Sequence, residues 1–369
     1  MGSLTPLGQS KGEPRCAFGG TNYLVAWFDD FTSSAVAEII ASSGTPTGSA
    51  FSLPNAPEAI ATDGTNFLAV LRDNANNVYG QLITPTGALL GPEFLVGNQS
   101  AKYPAVAFGK TNYLVVMNAC YGVLVTPGGS AGNIFQINST TSAANNYSAV
   151  AFDGTNYLVA WMWNPGPDTG GSLTNWEIFG RLVSPAGGFA GNELQLVTDP
   201  GNNVIPSLAF DGSDYLLTWG YGFQAVTNPT IRCQFLNRAG GVIGLEFVPI
   251  SNQGANTPLL SLAGGLIFDG IRYELAATLG TSSFQEVYGA LIPASTASPT
   301  LAAAGPLAGN QFPLQLTGTP GINYAIQFST NLTLENWRAI TTNSPTNGAL
   351  SFIDAGATSK SRFYRAMKQ

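Results

Sequence analysis

Short apolar segments alternate with polar turns along most of this chain, at a spacing typical of β-strands rather than helices. Between residues 59 and 96, apolar runs at 59–62, 67–71, 78–84 and 94–96 are separated by turns rich in Gly, Asn, Asp and Pro. No apolar stripe at positions i, i+3 and i+4 continues for three helical turns. The pattern predicts four antiparallel strands joined by short loops.

The same unit occurs six times in the chain. Each copy has a tight turn, an aromatic residue and an apolar strand, and the aromatic residues lie 44, 46, 44, 58 and 58 positions apart. A period in the forties with strand patterning is typical of β-propeller blades. We therefore predict an all-β fold with a six-bladed β-propeller. The aromatic residue of each copy, called the anchor aromatic below, is Tyr23, Phe67, Tyr113, Tyr157, Tyr215 or Tyr273.

The sixth unit has no apolar run for a fourth strand, and the N-terminus offers one. Residues 4–18 align with residues 94–108, which span a fourth strand, a connector and the next first strand. We expect residues 4–7 to pair into the last blade and close the ring, because closure removes an open sheet edge. The predicted domains are a propeller closed by the N-terminal strand (1–296), a linker (297–308) and a small C-terminal β-sandwich (309–369).

Two motifs carry a resemblance to known proteins. The segment Asp153-Gly-Thr-Asn-Tyr157-Leu-Val-Ala-Trp161, followed by Phe179-Gly-Arg-Leu-Val-Ser-Pro185, resembles the blades of secreted bacterial β-propeller repeat proteins. The tail, with Tyr324, Trp337 and Phe363-Tyr-Arg-Ala366, resembles a fibronectin-III-like module at the C-terminus of exported proteins of environmental bacteria. The resemblance implies a secreted or cell-surface protein. The sequence opens without a signal peptide, and we expect a leader to have been removed.

Composition narrows the range of partners. Only 9% of residues are charged and the net charge is −7, so the clustered Lys and Arg that bind a nucleic-acid backbone are not expected. The apolar fraction of 44% is ample for a core. No apolar run approaches the length of about 18 residues that a membrane span needs. We expect neither a nucleic-acid partner nor a membrane span.

The three cysteines lie in three different repeats. Cys16, Cys120 and Cys233 match no metal-binding spacing, and an odd number cannot form a complete set of disulfides. They are interpreted as buried free thiols, with one disulfide plus a spare thiol as the alternative.

The repeated Asp-Gly pairs and the repeated Tyr and Trp residues each allow two interpretations. Asp63, Asp153, Asp211 and Asp269 precede Gly and could be calcium ligands, but Asp-Gly is also a strong hairpin signal. The first and third copies have Gly in place of this Asp, which a turn tolerates and a ligand set does not. The anchor aromatics could form a carbohydrate platform or pack between blades. Their fixed place in strand two favours packing between blades.

One end of each blade is predicted to carry the binding surface. Loops between strands two and three, together with the connectors between blades, emerge at the same end, and loops on a rigid scaffold commonly carry function. That end is rich in amides, and the fourth and fifth copies have enlarged loops there. The candidate ligand-binding residues are Trp163, Asp168, Trp176, Glu177, Tyr221, Phe223, Asn203 and Asn256.

The chain contains no His, which excludes Ser-His-Asp and Cys-His catalysis and histidine-ligated zinc. Carboxylate and calcium chemistry remain, since neither needs imidazole. Six-bladed lactonases hold Ca²⁺ at a central channel, where it polarises a carbonyl and activates water. The residue types that fit such a site near the channel mouth are Glu13, Glu58, Asn146, Asp199 and Asn256.

These observations lead to three functional hypotheses. The first is an exported, non-catalytic recognition or scaffold protein that binds a small molecule, a glycan, a peptide or a surface protein through its loop face. The second is a Ca²⁺-dependent hydrolase resembling lactonases or esterases. The third is a structural module of the cell surface. A calcium ion is the only cofactor that the sequence suggests, and catalytic residues are not identified.

Overall fold

The computed structural model describes residues 11–29, 32–98, 103–139, 146–164, 176–199, 201–222, 230–251, 259–261, 265–281, 284–295, 299–306, 308–330, 337–346, 348–357 and 362–369. These residues form antiparallel β-sheets, and the only helical element among them is one 3₁₀ turn at Asn118–Cys120. The all-β prediction is confirmed.

The first three sheets each contain four consecutive strands paired in chain order. Sheet 1 is β1 (Lys11–Phe18), β2 (Asn22–Asp29), β3 (Ser34–Ala41) and β4 (Phe51–Leu53). Sheet 2 is β5 (Ala56–Thr62), β6 (Phe67–Arg72), β7 (Val78–Ile83) and β8 (Leu89–Gly97). Sheet 3 is β9 (Ala105–Gly109), β10 (Asn112–Met117), β11 (Tyr121–Val125) and β12 (Phe135–Gln136). The four strands predicted for each of these repeats are confirmed.

The fourth and fifth sheets follow the same plan, and the sixth departs from it. Sheet 4 is β13 (Asn146–Phe152), β14 (Tyr157–Trp163), β15 (Glu177–Val183) and β16 (Leu194–Gln195), and sheet 5 is β17 (Asn203–Phe210), β18 (Tyr215–Tyr221), β19 (Thr230–Leu236) and β20 (Val242–Ser251). In sheet 6, β21 (Leu259–Ser261) and β22 (Leu266–Phe268) pair with one edge of β23 (Arg272–Thr281), and β24 (Phe284–Pro293) pairs with the other. β21 and β22 together take the place of strand one, so within the described residues no strand pairs with β24 in the place of strand four. The strand expected at 4–7 lies outside them.

The C-terminal part forms two three-stranded sheets. One pairs β25 (Thr300–Ala303), β26 (Phe312–Thr317) and β29 (Ala349–Asp354), and the other pairs β28 (Arg338–Asn343), β27 (Tyr324–Ser329) and β30 (Phe363–Lys368). Strand β25 lies inside the segment 297–308 that the sequence predicts as a linker. Its backbone pairs with β26 over four residues, so part of that segment is a strand of the C-terminal module.

The core consists of apolar layers between neighbouring sheets. Anchor aromatic Phe67 points at Leu24 and Ala26 of sheet 1, while its strand neighbours Leu68 and Val70 point the other way, towards Tyr113 of sheet 3. This alternation is the period-two rule of a strand with both faces covered. Tyr157 and Trp161 of sheet 4 pack in the same way on sheet 3. Packing between sheets, rather than a carbohydrate platform, is therefore confirmed for these rings.

Hydroxyl groups of the anchor tyrosines lock one sheet to the preceding one. Tyr157 donates a hydrogen bond of 2.5 Å to the carbonyl of Asn112, and Tyr273 donates one of 3.0 Å to the carbonyl of Asp214. In both cases the acceptor is the residue just before the preceding anchor aromatic. Burial raises the pKa of the Tyr157 and Tyr273 hydroxyls well above the usual value, so they remain donors.

The Asp-Gly turns are structural. One carboxylate oxygen of Asp153 accepts the backbone N–H groups of Thr155 and Asn156 at 2.7 Å each, and Asp63 does the same in its own turn. This is the Asx-turn arrangement that makes Asp a turn residue. In the copies with Gly in place of this Asp, the next anchor ring lies close to the turn: a Cβ on Gly19 would lie 2.7 Å from the ring of Phe67, and one on Gly109 would lie 2.3 Å from the hydroxyl oxygen of Tyr157.

The chain divides into two compact units. The first comprises residues 1–208 with 262–264, and the second comprises 209–261 with 265–369. In the second unit the turn at Gly244 meets the C-terminal module by backbone contact, since Leu245 N donates to Gly321 O at 2.6 Å. A Cβ on Gly244 would lie 2.1 Å from that same oxygen. Sheet 5 and the C-terminal module are therefore packed together without side chains between them at this point.

Candidate functional site

The loop between strands two and three lies at the same end of a sheet as the connector that enters strand one. In sheet 2 the register places Ala56, Arg72 and Val78 side by side, with Gly97 opposite Val78. These are the start of β5, the end of β6, the start of β7 and the end of β8. The predicted geometry is confirmed for this sheet, and we call this end of a sheet its connector end.

Two of the candidate tryptophans are packed at the connector end of sheet 4 rather than extended from it. Trp163 is the last residue of β14, and its ring meets that of Phe179 edge-on at 5.1 Å between centroids. Trp176 precedes β15 and is only 5% exposed. The Nε1 group of Trp163 is buried and has no hydrogen-bond partner within the described part of the chain. Neither ring extends into solvent as expected of a ligand-binding residue on an enlarged loop.

The polar candidates of sheet 4 and its connector are engaged within the protein. Glu177 accepts a hydrogen bond of 3.2 Å from the amide of Gln195. Asn203 is fully buried, and its amide donates to the carbonyls of Asp199 and Gly201. Its backbone N–H also bonds to the carbonyl of Trp176. Asn203 therefore fixes the connector, and its amide is not presented to a ligand.

Tyr221 ends β18 in the second unit, and one face of its ring is covered. The guanidinium carbon of Arg232 lies 3.3 Å from the centre of the ring, and the same guanidinium pairs with Glu246 at 2.6 Å. This is a cation–π contact held in place by an ion pair. The other candidates of these loops, Asp168, Phe223 and Asn256, lie outside the described residues.

Among the metal candidates, Glu58 is held by two arginines. Arg72 Nε lies 2.5 Å from one carboxylate oxygen of Glu58, and Arg15 Nη2 lies 4.0 Å from the other. The Glu58 side chain is 5% exposed, and Arg15 Nε also donates to its backbone carbonyl. A buried carboxylate needs such partners, because burying it unpaired is costly. The two arginines neutralise the negative charge of the Glu58 carboxylate, which a calcium ion would need in a ligand.

The five metal candidates are not seen to converge. Asp199 contributes its carbonyl to Asn203, as described above. The side chains of Glu13 and Asn146, and all of Asn256, lie outside the described part. Within that part, no three cysteine, aspartate or glutamate side chains form a group that could hold a metal ion.

The cysteines are free thiols, and the disulfide alternative is wrong. Cys120 and Cys233 are buried, as predicted, and burial raises the pKa of both thiols well above the usual value. Cys16 is exposed, which corrects the prediction that all three are buried. The part of its thiol that neighbouring groups cover still raises its pKa to about 11. None of the three has the lowered pKa of a nucleophilic cysteine.

In contrast to the thiols, two loop carboxylates, Asp73 and Asp269, have a lowered pKa. The side-chain amide of Asn77 lowers the pKa of Asp73, and the backbone N–H of Arg272 lowers that of Asp269. Both groups are therefore ionised at neutral pH, whereas a general acid needs a raised pKa. Their hydrogen bonds stabilise turns.

A pair of tyrosines that the sequence analysis does not single out lies at the connector ends of sheets 3 and 4. The rings of Tyr103 and Tyr147 are stacked with centroids 4.0 Å apart and planes 17° from parallel. Tyr103 is 37% exposed and Tyr147 is half-buried. The signal in the sequence is their position: each lies five residues before a Phe at or near the end of strand one, Phe108 and Phe152. Their aromatic character does not belong to the repeat, because the other copies have Glu, Pro, Ile or Ala there.

Comparison with known proteins gives structural matches only. No protein-family model matches the chain, and no curated protein matches it. Among the described residues, no helix has the length and apolarity needed to cross a membrane.

Three of the similar solved structures show the range of the matches. The hydrazine synthase of Kuenenia stuttgartiensis is 12% identical, with 76% of this chain and 78% of that chain covered and a TM-score of 0.48. TolB from Acinetobacter baumannii is 12% identical (67% and 55% covered, TM-score 0.43). The β-propeller domain of the Trilobed protease from Pyrococcus furiosus is 9% identical (83% and 88% covered, TM-score 0.43). At these values the fold of this chain has to be argued from its own strand pairing.

Proposed function

We propose that residues 1–296 form a six-bladed β-propeller and that the residues from 309 onward form a fibronectin-III-like β-sandwich. The repeated four-stranded sheets support the blades, and the two three-stranded sheets of the C-terminal module support the sandwich. Buried Leu314, Leu316 and Ile326, contributed by both of these small sheets, give the module a core of its own. Both assignments follow from layers that bury one apolar face against another.

Ring closure is supported by one uncovered face in each compact unit. Phe67, Tyr113, Tyr157, Tyr215 and Tyr273 are at most 1% exposed, whereas Tyr23 is only half-buried. It lies on the face of sheet 1 that also carries exposed Phe18 and Cys16. In the second unit, Ile267 and Leu291 lie exposed on the face of sheet 6 opposite buried Tyr273.

Three anchor tyrosines follow one hydrogen-bonding rule: Tyr113, Tyr157 and Tyr273 each donate to the carbonyl just before the preceding anchor aromatic. Closure of the ring by the N-terminal strand is proposed because a monomer rarely keeps an open sheet edge and exposed apolar faces.

We further propose that the protein is an exported, non-catalytic recognition protein that binds its ligand at the connector ends of the blades. The observation that carries this proposal is how the polar groups there are used. Glu58 is paired with Arg72, Glu177 with Gln195, and Asn203 with the backbone, so these groups stabilise the scaffold. The surface offers contact area, including the exposed ring of Tyr103, rather than activated groups. The resemblance to secreted blades supports export.

A binding screen with and without calcium tests this function. The full chain is immobilised and exposed to panels of glycans, peptides and small molecules, once with Ca²⁺ and once with EDTA, and lactone and ester turnover is measured alongside. We expect binding that survives EDTA and no Ca²⁺-dependent turnover. Hydrogen exchange then locates the ligand: amides near 73–77 at the connector end of sheet 2 should become protected, and those of the opposite turn, 84–88, should not.

Two other functions remain proposals. A Ca²⁺-dependent hydrolase predicts turnover that EDTA abolishes, and finding it would replace the recognition proposal. A structural module of the cell surface predicts no ligand in any panel and no protected amides. The same screen separates all three, because binding, turnover and protection are read independently.

A further inference from the structure

Tyr103 and Tyr147 form a stacked aromatic pair at the connector ends of sheets 3 and 4. Anchor tyrosines such as Tyr157 are fully buried and bond through their hydroxyls to a neighbouring sheet. The rings of Tyr103 and Tyr147 stack on each other at 4.0 Å, and Tyr103 is more than a third exposed. A rigid ring with an apolar face and a polar tip is the side chain that recognition surfaces use most.

The backbone beneath the two rings is left-handed. Tyr103 has φ 52° and Tyr147 has φ 47°, a conformation that disfavours residues with a Cβ. The register of β13 against β14 shifts between Asn146 and Ser148, as in a β-bulge, which can turn a side chain away from the sheet. Tyr147 is the residue at that bulge.

Ile205 separates the role of this backbone from the role of the rings. It occupies the same repeat position, five residues before Phe210, and has φ 54°. The strained conformation is therefore shared by the copies in sheets 3, 4 and 5, and it does not depend on an aromatic side chain. What distinguishes sheets 3 and 4 is that the residue placed there is Tyr. A stable fold would tolerate Gly at all three positions, because Gly adopts positive φ without steric cost.

We propose that the Tyr103–Tyr147 pair is a stacking platform for a sugar ring of a neutral saccharide. This inference rests on the proposed recognition function and names its ligand class. The C–H face of a pyranose packs on an aromatic face. The hydroxyls of the sugar can bond to tyrosine hydroxyls and to amides such as those that the sequence places at the connector ends of the blades. The net charge of −7 disfavours nucleic acids and other polyanions as ligands.

Three matched glycine variants test the platform. Tyr103→Gly and Tyr147→Gly each remove one ring and relieve the left-handed backbone, and Ile205→Gly relieves the same backbone strain without removing a ring. Binding of the full chain to neutral gluco-, galacto- and manno-oligosaccharides is measured by calorimetry, with sialylated glycans and proline-rich peptides as comparison probes. Thermal melts of each variant report folding.

We expect the wild-type chain and Ile205→Gly to bind a neutral oligosaccharide equally well. Each tyrosine variant should bind about tenfold more weakly or worse, as expected for the loss of one stacked ring. All three variants should melt within a few degrees of the wild type. A loss of binding that accompanies an unchanged melt cannot be attributed to unfolding.

Failure of this inference is distinguishable from failure of the proposed function. If saccharide binding is found but both tyrosine variants retain it, the platform is wrong while recognition stands. If the chain binds only sialylated glycans or peptides, the ligand class is wrong. If no probe of any class binds, both proposals are overturned.

Discussion

At the scale of single residues, close contacts between turns and rings decide which substitutions the repeat allows. Gly109 lies so near the anchor aromatic of the next sheet that a Cβ would stand 2.3 Å from the Tyr157 hydroxyl oxygen and 2.8 Å from a ring carbon. Real Cβ atoms do not approach this closely, so the ring would have to move. The Tyr157 hydroxyl would then leave its hydrogen bond to Asn112.

We predict that Gly109→Ala lowers the free energy of unfolding by about 1–3 kcal/mol, the usual cost of overpacking a tight contact. The matched control is Gly128→Ala in the same sheet, where the nearest atom to a new Cβ is 3.9 Å away. Chemical denaturation of both variants measures the difference. Equal stability of the two variants would show that the Tyr157 ring adapts to the extra methyl group without loss.

At the scale of elements, the end of β24 is fixed to the C-terminal module and to the turn before β18. Ser295 is fully buried, and its backbone N–H donates to Asp211 at 2.8 Å. Its hydroxyl lies 2.6 Å from Asp214, and its carbonyl accepts from Lys368 Nζ at 3.0 Å. The same hydroxyl lies 2.9 Å from Asp211. A hydroxyl has one proton, and the shorter distance assigns it to Asp214.

Removing the Ser295 hydroxyl should therefore loosen this junction. We predict that Ser295→Ala costs about 1–3 kcal/mol, because the buried Asp214 oxygen loses its closest donor. Ser213→Ala is the control: that hydroxyl lies 3.5 Å from the same oxygen. Thermal melts and limited proteolysis between β24 and β25 would measure the effect. Identical behaviour of the two variants would show that the other bonds at Ser295 suffice.

At the scale of the whole molecule, the prediction to test is closure of the ring. The reactivity of the Cys16 thiol tests it. Cys120 and Cys233 are buried in their sheets, so they should not react in the native state. Cys16 lies on the face of sheet 1 that closure would cover, and it is exposed where that face is uncovered.

We predict that no thiol reacts readily in the native full-length chain and that three react after denaturation. Deleting residues 1–8 removes the strand expected to close the sixth blade, so Cys16 should then become reactive and the melting temperature should fall or oligomers should form. Thiol counting with a coloured disulfide reagent and size-exclusion chromatography measure both effects. Rapid reaction of one thiol in the intact chain would contradict closure.

The sequence by itself determined the repeated strands and turns. Apolar alternation, Asp-Gly turns and anchor aromatics are local signals, because a strand or a hairpin is specified by residues next to each other in the chain. The sequence also shows that this turn accepts Gly19 and Gly109 in place of Asp. Only the structure shows that a ring of the next repeat lies against each of these glycines.

Tertiary structure decided which side chains remain available to a ligand. The sequence marks Glu58, Asn203 and Trp176 as candidates by residue type and loop position. Their burial and pairing depend on partners elsewhere in the chain, such as Arg15 for Glu58 and the carbonyl of Trp176 for the backbone of Asn203. The Tyr103–Tyr147 stack joins residues 44 positions apart. No local pattern reports such a contact, because it forms only when two connectors are brought together by the packing of their sheets.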